Sequence, residues 1–271
     1  MMRTIGRYLL HERLGRGGMG AVYKALEPIT NRVVALKILL PRDDIFVDLV
    51  GENRLREIFI EEARIMREID HEYIAKIIDC DGKADIPYIV LEYCPHSLGA
   101  LIRDSTRVNI SRLLSMDMTY HYIRQTLRGL EILHSVDIIH RDIKPHNLMI
   151  TNEGRIKMID FGLCKVRGDD KMIIPGMKVG SPYYTAPEQE LNPQKADERS
   201  DLFSVGVIAY RLLTGRLVNH RIQPVPPPSM FNPGLNKDWD VFFLKSIQVK
   251  AEHRFQSAYE MRQQFEQIYA G

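Results

Sequence analysis

Gly15-Arg16-Gly17-Gly18-Met19-Gly20-Ala21-Val22 sets its glycines at the spacing G-x-G-x-x-G-x-V. Glycines so spaced let main-chain N–H groups approach a phosphate, either ahead of a helix in a dinucleotide unit or in a flap between two strands. Here they are followed by Val22-Tyr23-Lys24-Ala25, a strand-like run, which favours the flap. Downstream, Lys37 ends Val34-Ala35-Leu36-Lys37 inside an apolar stretch. Most lysines are solvated surface residues, but an ammonium in such surroundings needs a partner. Glu57, Glu61 and Glu62 are within reach in the sequence, and only Glu62 shares a helical face with Phe59 and Met66. A Lys37–Glu62 pair would hold the ammonium against phosphate oxygens, and burying such a pair has little stabilising value of its own.

The second set of groups lies past the middle of the chain. His140-Arg141-Asp142-Ile143-Lys144-Pro145-His146-Asn147 places a carboxylate, an ammonium and a carboxamide within six residues. At roughly 5% usage per residue type, five specified positions in such an octet coincide by chance about once in several million starts. Asp160-Phe161-Gly162 and Ala186-Pro187-Glu188 follow in order. Together these residues offer a general base, hard oxygen donors for a divalent cation and positive charge for a phosphoryl group.

The elements that must position these groups change character along the chain. Tyr8 to Leu10, Ala21 to Ala25 and Val33 to Ile38 read as strands separated by turns. Leu55, Ile58, Phe59, Glu62, Met66 and Ile69 recur at helical spacing, which predicts a helix over Asn53 to Ile69. Ile74 to Ile78 and Tyr88 to Leu91 return to strand character. From Leu98 onward helices dominate, with a buried stripe through Tyr122, Thr126, Gly129, Leu130 and Leu133 and another over Asp201 to Leu213. A strand-rich part followed by a helix-rich part predicts two lobes, residues 1–94 and 95–271, and a cleft between lobes is a favoured place for a small ligand.

Composition sets the outer bounds. The 271 residues are 45% hydrophobic and 27% charged, with 37 basic against 35 acidic side chains. Those figures fit a soluble globular chain and exclude a disulfide scaffold, a disordered tail and a strongly basic nucleic-acid binder. Cys80, Cys94 and Cys164 are scattered, with no metal-ligand spacing, which suits a reducing, cytoplasmic setting. No signal peptide is expected at the start, and Val205 to Leu213 is too short to span a bilayer.

The glycine loop, Val-Ala-Leu-Lys, the His-Arg-Asp octet, Asp-Phe-Gly and Ala-Pro-Glu together resemble the protein kinase family, in particular the bacterial serine/threonine kinases. The resemblance runs from Tyr8 to about Phe265 and implies an α+β bilobal fold, with a small β-rich N-lobe holding one main helix and a larger helical C-lobe. It implies transfer of the γ-phosphate of ATP to a serine or threonine hydroxyl of a protein, with Mg²⁺, or Mn²⁺ in its place. It further implies that Asp142 accepts the hydroxyl proton, Lys144 steadies the γ-phosphate, and Asn147 and Asp160 hold the metal ions. Lys37, paired with Glu62, bridges the α- and β-phosphates beneath Gly15, Gly17 and Gly20. Adenine is expected at the backbone of Glu92 and Cys94, with Leu91 as gatekeeper and Leu14, Val22, Ala35 and Met149 around the ring. His140, Phe161, Met66 and Ile77 are implied to stack as an apolar column, Asp201 to cap the catalytic-loop backbone, and Glu188 to pair with Arg254. Two other readings stay open: an inactive kinase-like scaffold, which usually lacks one of the Lys, Asp or Asn present here, and a small-molecule phosphotransferase. No nucleic-acid partner is expected, and the sequence leaves the oligomeric state unknown.

Three features depart from the family pattern. Leu163 to Gly180 holds no Ser, Thr or Tyr, so Asp169 or Asp170 is a candidate for the place of an activating phosphate beside Arg141. A solvated turn at Gly168-Asp169-Asp170 explains those residues equally well. Gly215 to Pro224 is too short for the usual next helix, leaving room for one turn over Arg216 to Gln223. Pro41 to Arg54 lengthens the entry to the Glu62 helix and reads as a surface loop.

Overall fold

The β-branched runs of the first third pair into one antiparallel sheet: β1 (Thr4–Ile5), β2 (Tyr8–Arg16), β3 (Gly20–Glu27), β4 (Arg32–Leu39) and, after two helices, β5 (Ile77–Asp81) and β6 (Tyr88–Glu92), in the order β1-β2-β3-β4-β6-β5. The computed structural model describes residues 3–42, 44–103, 110–166, 181, 183–219 and 225–271. Asp169, Asp170 and the end of the turn expected over Arg216 to Gln223 lie outside them. The chain divides into two compact units, Met1–Cys94 and Pro95–Gly271.

In the first unit, side-chain alternation sorts the sheet into two faces. Tyr8, Ala21, Ala25, Val34, Leu36, Ile38, Tyr88 and Val90 form a buried apolar cluster on one of them. The register Val22↔Lys37↔Ile89 and Lys24↔Ala35↔Leu91 puts Val22, Ala35, Lys37 and Leu91 together on the other. Helix α2 (Glu52–Glu68) packs against β5 and buries Leu55, Ile58, Phe59, Glu62, Ala63, Ile65 and Met66. Two expectations need correction. Pro41 to Arg54 is not simply a loop, because Asp44–Val50 forms a short helix, α1, which buries none of its residues. Gly51, at φ 85°, turns the chain from α1 into α2, a left-handed conformation that glycine adopts at little cost. The strand expected over Ile74 to Ile78 lies later, at Ile77–Asp81, because β6 offers an open edge along which the polar Asp79, Cys80 and Asp81 can pair.

The second unit is mostly helical. Short β7 (His96–Ser97) leads into α3 (Leu98–Leu101), which Ser97 caps through its Oγ. Helix α4 (Met116–Ser135) buries Tyr122, Ile123, Thr126, Leu127, Leu130 and Leu133 along the expected stripe. Then come β8 (Ile138–Ile139), β9 (Leu148–Ile150), β10 (Ile156–Met158), β11 (Lys165–Val166), α5 (Pro187–Leu191) and α6 (Glu198–Thr214). Every residue of α6 from Ser200 to Thr214 is buried, as befits a helix with apolar residues on all sides. Gly206 lets α7 (Lys237–Ser246) approach, since a Cβ there would stand 2.7 Å from the Ser246 Cβ. Trp239 of α7 packs edge-on to Phe265 of α8 (Ala258–Ala270), with ring centroids 5.2 Å apart. Among the described residues after Gly215 no helix forms before the single turn Pro228–Met230. None of the described helices is long and apolar enough to cross a membrane.

Candidate active site

The first unit brings its expected residues to two places. The glycine loop is the tip of the β2–β3 hairpin, closed by Gly17 N donating to Gly20 O at 2.8 Å. Its glycines are of two kinds. A Cβ on Gly20 would fall 2.2 Å from the Ile38 carbonyl oxygen, so sheet packing alone demands glycine there. Gly15 and Gly18 have nothing within 4 Å of such an atom, leaving their backbone open to a ligand. Leu14, beside them, is exposed.

Lys37 stands two residues along β4 from Ala35, and Val22 is its partner across the hairpin. Its Nζ donates to both carboxylate oxygens of Glu62, at 2.6 and 2.8 Å. The Glu62 side chain is 2% exposed and the Lys37 side chain 13%. At the far end of β6, Leu91 and Cys94 are buried. Glu92 is fixed against the chain before β5: its N–H donates to Lys76 O at 3.0 Å and its Oε1 accepts from Lys76 N at 2.8 Å.

In the second unit the candidate catalytic groups Asp142, Lys144 and Asn147 sit on the loop between β8 and β9, with Met149 half-buried on β9. Asp142 is 6% exposed, and both carboxylate oxygens are engaged. Oδ2 accepts from Lys144 Nζ at 2.7 Å and from Asn147 Nδ2 at 2.9 Å, while Oδ1 accepts the Ser181 hydroxyl at 2.9 Å. The Lys144 ammonium reaches the Ser181 oxygen as well, at 2.9 Å. Asn147 Nδ2 also donates to the Asp142 carbonyl oxygen at 2.9 Å. These two acceptors fix the amide orientation and leave Oδ1 as the atom Asn147 can offer a cation. Asp160 follows β10 with φ 68°. Among the described residues no group of three or more His, Cys, Asp or Glu could hold a metal ion. A carboxamide oxygen and one carboxylate are nonetheless the hard donors that suit Mg²⁺ when phosphate oxygens and water complete its shell.

The loop is held from behind by α6. Asp201, fully buried, accepts His140 N at 2.9 Å and Arg141 N at 2.8 Å. His134 Nε2 lies 2.9 Å from the same carboxylate. Burial alone would raise the Asp201 pKa, but the hydrogen bond and charge of His134, with the His140 contacts, outweigh it and hold the group below its ordinary value. The rings of His140 and Phe161 lie 4.9 Å apart. Arg141 donates to the Leu163, Cys164 and Pro193 carbonyls at 2.6, 2.9 and 3.4 Å.

Glu188, in the first turn of α5, takes the Arg254 guanidinium in a two-pronged pair at 2.8 and 2.7 Å, with Ser200 donating at 2.7 Å. Burial pushes Glu188 up, and the Arg254 and Ser200 interactions bring it below the usual carboxylate range. Two residues here escaped the sequence reading. His134 lacks metal-ligand spacing and is instead the partner of Asp201. Gln189, directly after Ala-Pro-Glu, donates to the Arg141 carbonyl at 2.7 Å. Neither carries a sequence signal, because each bonds a group 67 or 48 residues away.

Residues 8–225 match the family model described as protein kinase domain. The probable serine/threonine-protein kinase PknB of Bifidobacterium longum is 34% identical over 282 residues, covering 95% of this chain and 39% of that protein. Serine/threonine-protein kinase Pkn1 of Myxococcus xanthus is 34% identical over 270 residues, with 93% and 37% covered. Serine/threonine-protein kinase PrkC of Bacillus subtilis is 30% identical over 270 residues, with 96% and 40% covered. The chain spans less than half the length of these curated relatives.

Proposed function

The chain belongs to the protein kinase domain family, and from that premise we propose that it transfers the γ-phosphate of ATP to serine or threonine hydroxyls of proteins. The observation that carries this reading is the Ser181 hydroxyl donating to Asp142 Oδ1 at 2.9 Å while Lys144 Nζ donates to the hydroxyl oxygen of Ser181. A substrate hydroxyl seated there would pass its proton to Asp142 as its oxygen attacks phosphorus, and the bond from the γ-phosphorus to the bridging oxygen would break to release ADP. Lys144 places positive charge beside the developing phosphoryl group.

In the first unit, Lys37, oriented by Glu62, takes the α- and β-phosphates, and the loop that carries Gly15, Gly17 and Gly20 covers the phosphate tail, with the backbone of Gly15 and Gly18 open to it. Backbone groups of Glu92 and Cys94 bind adenine, with Leu14, Val22, Ala35, Leu91 and Met149 supplying its apolar surroundings. Asn147 and Asp160 hold Mg²⁺, or Mn²⁺ in its place. When bound, the ion neutralises phosphate charge and fixes the phosphate oxygens in position. The three free thiols suit a reducing cytoplasm.

Incubation with γ-labelled ATP and Mg²⁺, alone and with serine- and threonine-containing protein acceptors, tests the reading. Label on protein phosphoserine or phosphothreonine is the expected result. Label on small alcohols alone would assign a small-molecule phosphotransferase, and no transfer from a preparation that binds ATP would assign a scaffold.

A further inference from the structure

We propose that Gln189 is a positioning residue for the catalytic loop: its side-chain amide holds the Arg141 carbonyl and thereby fixes the peptide that aims Asp142. Arg141 has φ 63°, in the left-handed region that side-chain-bearing residues seldom occupy. Such a conformation persists only where the surroundings fix the peptide on both sides. On the N–H side the holder is Asp201, which takes Arg141 N at 2.8 Å. On the C=O side it is Gln189, 2% exposed, whose Nε2 donates at 2.7 Å. The Arg141 guanidinium donates to Leu163, Cys164 and Pro193, so it is occupied away from its own backbone.

The Arg141 carbonyl and the Asp142 N–H belong to one planar peptide. Rotation of that plane turns the Cα–Cβ bond of Asp142 and with it the carboxylate that Lys144, Asn147 and Ser181 surround. Among the described residues, Asp142 N makes a long contact, 3.3 Å to His140 Nδ1, on its own side. Gln189 has a firm base from which to act. The preceding Glu188 is locked to Arg254 and Ser200, so α5 carries the position of the helical core to the catalytic loop through the Gln189 amide.

The activity arm of the test rests on the proposed phosphotransfer, so a second arm does not use activity. Gln189→Met keeps the length of the side chain and removes the donor; Gln189→Ala removes the side chain beyond Cβ. For both we expect kcat to fall about tenfold, with KM for ATP and for a protein acceptor within about twofold of wild type. Both are assayed at temperatures where they are fully folded. The crystal structure of Gln189→Met should show Arg141 out of the left-handed region that the wild-type crystal retains. Loss of rate with Arg141 unmoved, or an unchanged rate, overturns the proposal, as does failure of both variants to fold where wild type folds. If the wild-type chain transfers no phosphate, the proposed function fails, and the Arg141 backbone in Gln189→Met alone decides this inference.

Discussion

Two largely buried acid–base pairs in this chain are made of similar chemistry and, on the proposed function, do different work. In the second unit, Arg254 engages its whole guanidinium: Glu188 in a two-pronged pair, and the Gln248, Arg199 and Val249 carbonyls at 2.7, 3.1 and 2.9 Å. Its guanidinium carbon also lies 4.8 Å from the centre of the Phe203 ring. Those contacts tie α5, the start of α6 and the segment before α8 together. In the first unit, Lys37 is a point charge on a flexible stem, and Glu62 grips it through both oxygens on the face of the sheet that also carries Val22, Ala35 and Leu91. A planar fork with every donor directed at its own chain builds structure, whereas a compact ammonium on a flexible stem suits the phosphate-binding role proposed for Lys37. Disrupting each pair should therefore damage different quantities.

Arg254→Met is expected to produce the largest loss of stability. It leaves the partly buried Glu188 carboxylate charged and without its guanidinium, with Ser200 still donating to it, at a cost of about 3 kcal/mol. For a chain of this size that lowers the thermal midpoint by roughly 10 °C, read by calorimetry. Lys37→Met combined with Glu62→Gln, which removes the pair together and leaves no buried charge alone, should do the reverse: phosphotransfer falls about 10²–10³-fold while the midpoint stays within a few degrees of wild type. Equal thermal losses in the two variants would dissolve the distinction between the pairs.

Glu62→Gln and Glu188→Gln sharpen the comparison, since each keeps a hydrogen-bond acceptor and removes the charge. The first should slow transfer about tenfold at nearly constant stability, and the second should cost about 1–3 kcal/mol of stability. Acid provides the smallest and broadest effect. Glu188 and Asp201 are held below their ordinary pKa values in the folded protein. Their contribution is therefore complete above the unfolded carboxylate range, about pH 4, and is lost as pH falls through the depressed folded values. Denaturant midpoints measured from pH 6 down to pH 3 should decline more steeply in wild type than in Glu188→Gln, which has one fewer such group.

What the sequence made legible follows from how local each signal is. Lys37 could be singled out because an ammonium in an apolar strand needs a partner, and Glu62 because helical periodicity turns it inward; the structure sets them 2.6 Å apart. The same logic does not reach Gln189 or His134, whose partners are a main-chain carbonyl and a carboxylate brought near only by the packing of distant elements. Helix α1 was invisible because it buries no residue, so no apolar period marks it, and Ile45 and Leu49 are 72% and 78% exposed. β5 was misplaced because Asp79, Cys80 and Asp81 look like a turn, and only the edge of β6 makes them a strand. In the second unit the α6 stripe was easy to read, since a helix buried on every side must be apolar throughout most of its length.

The account stands or falls on Asp142 as the group that accepts the proton of a substrate hydroxyl. The direct measurement is the rate of γ-phosphate transfer by Asp142→Asn beside wild type, at saturating ATP and Mg²⁺, with both proteins shown to be folded and to bind ATP. The account predicts a loss of about 10²–10⁴-fold at an ATP affinity close to that of wild type. A folded, ATP-binding Asp142→Asn that transfers phosphate at the wild-type rate would contradict it.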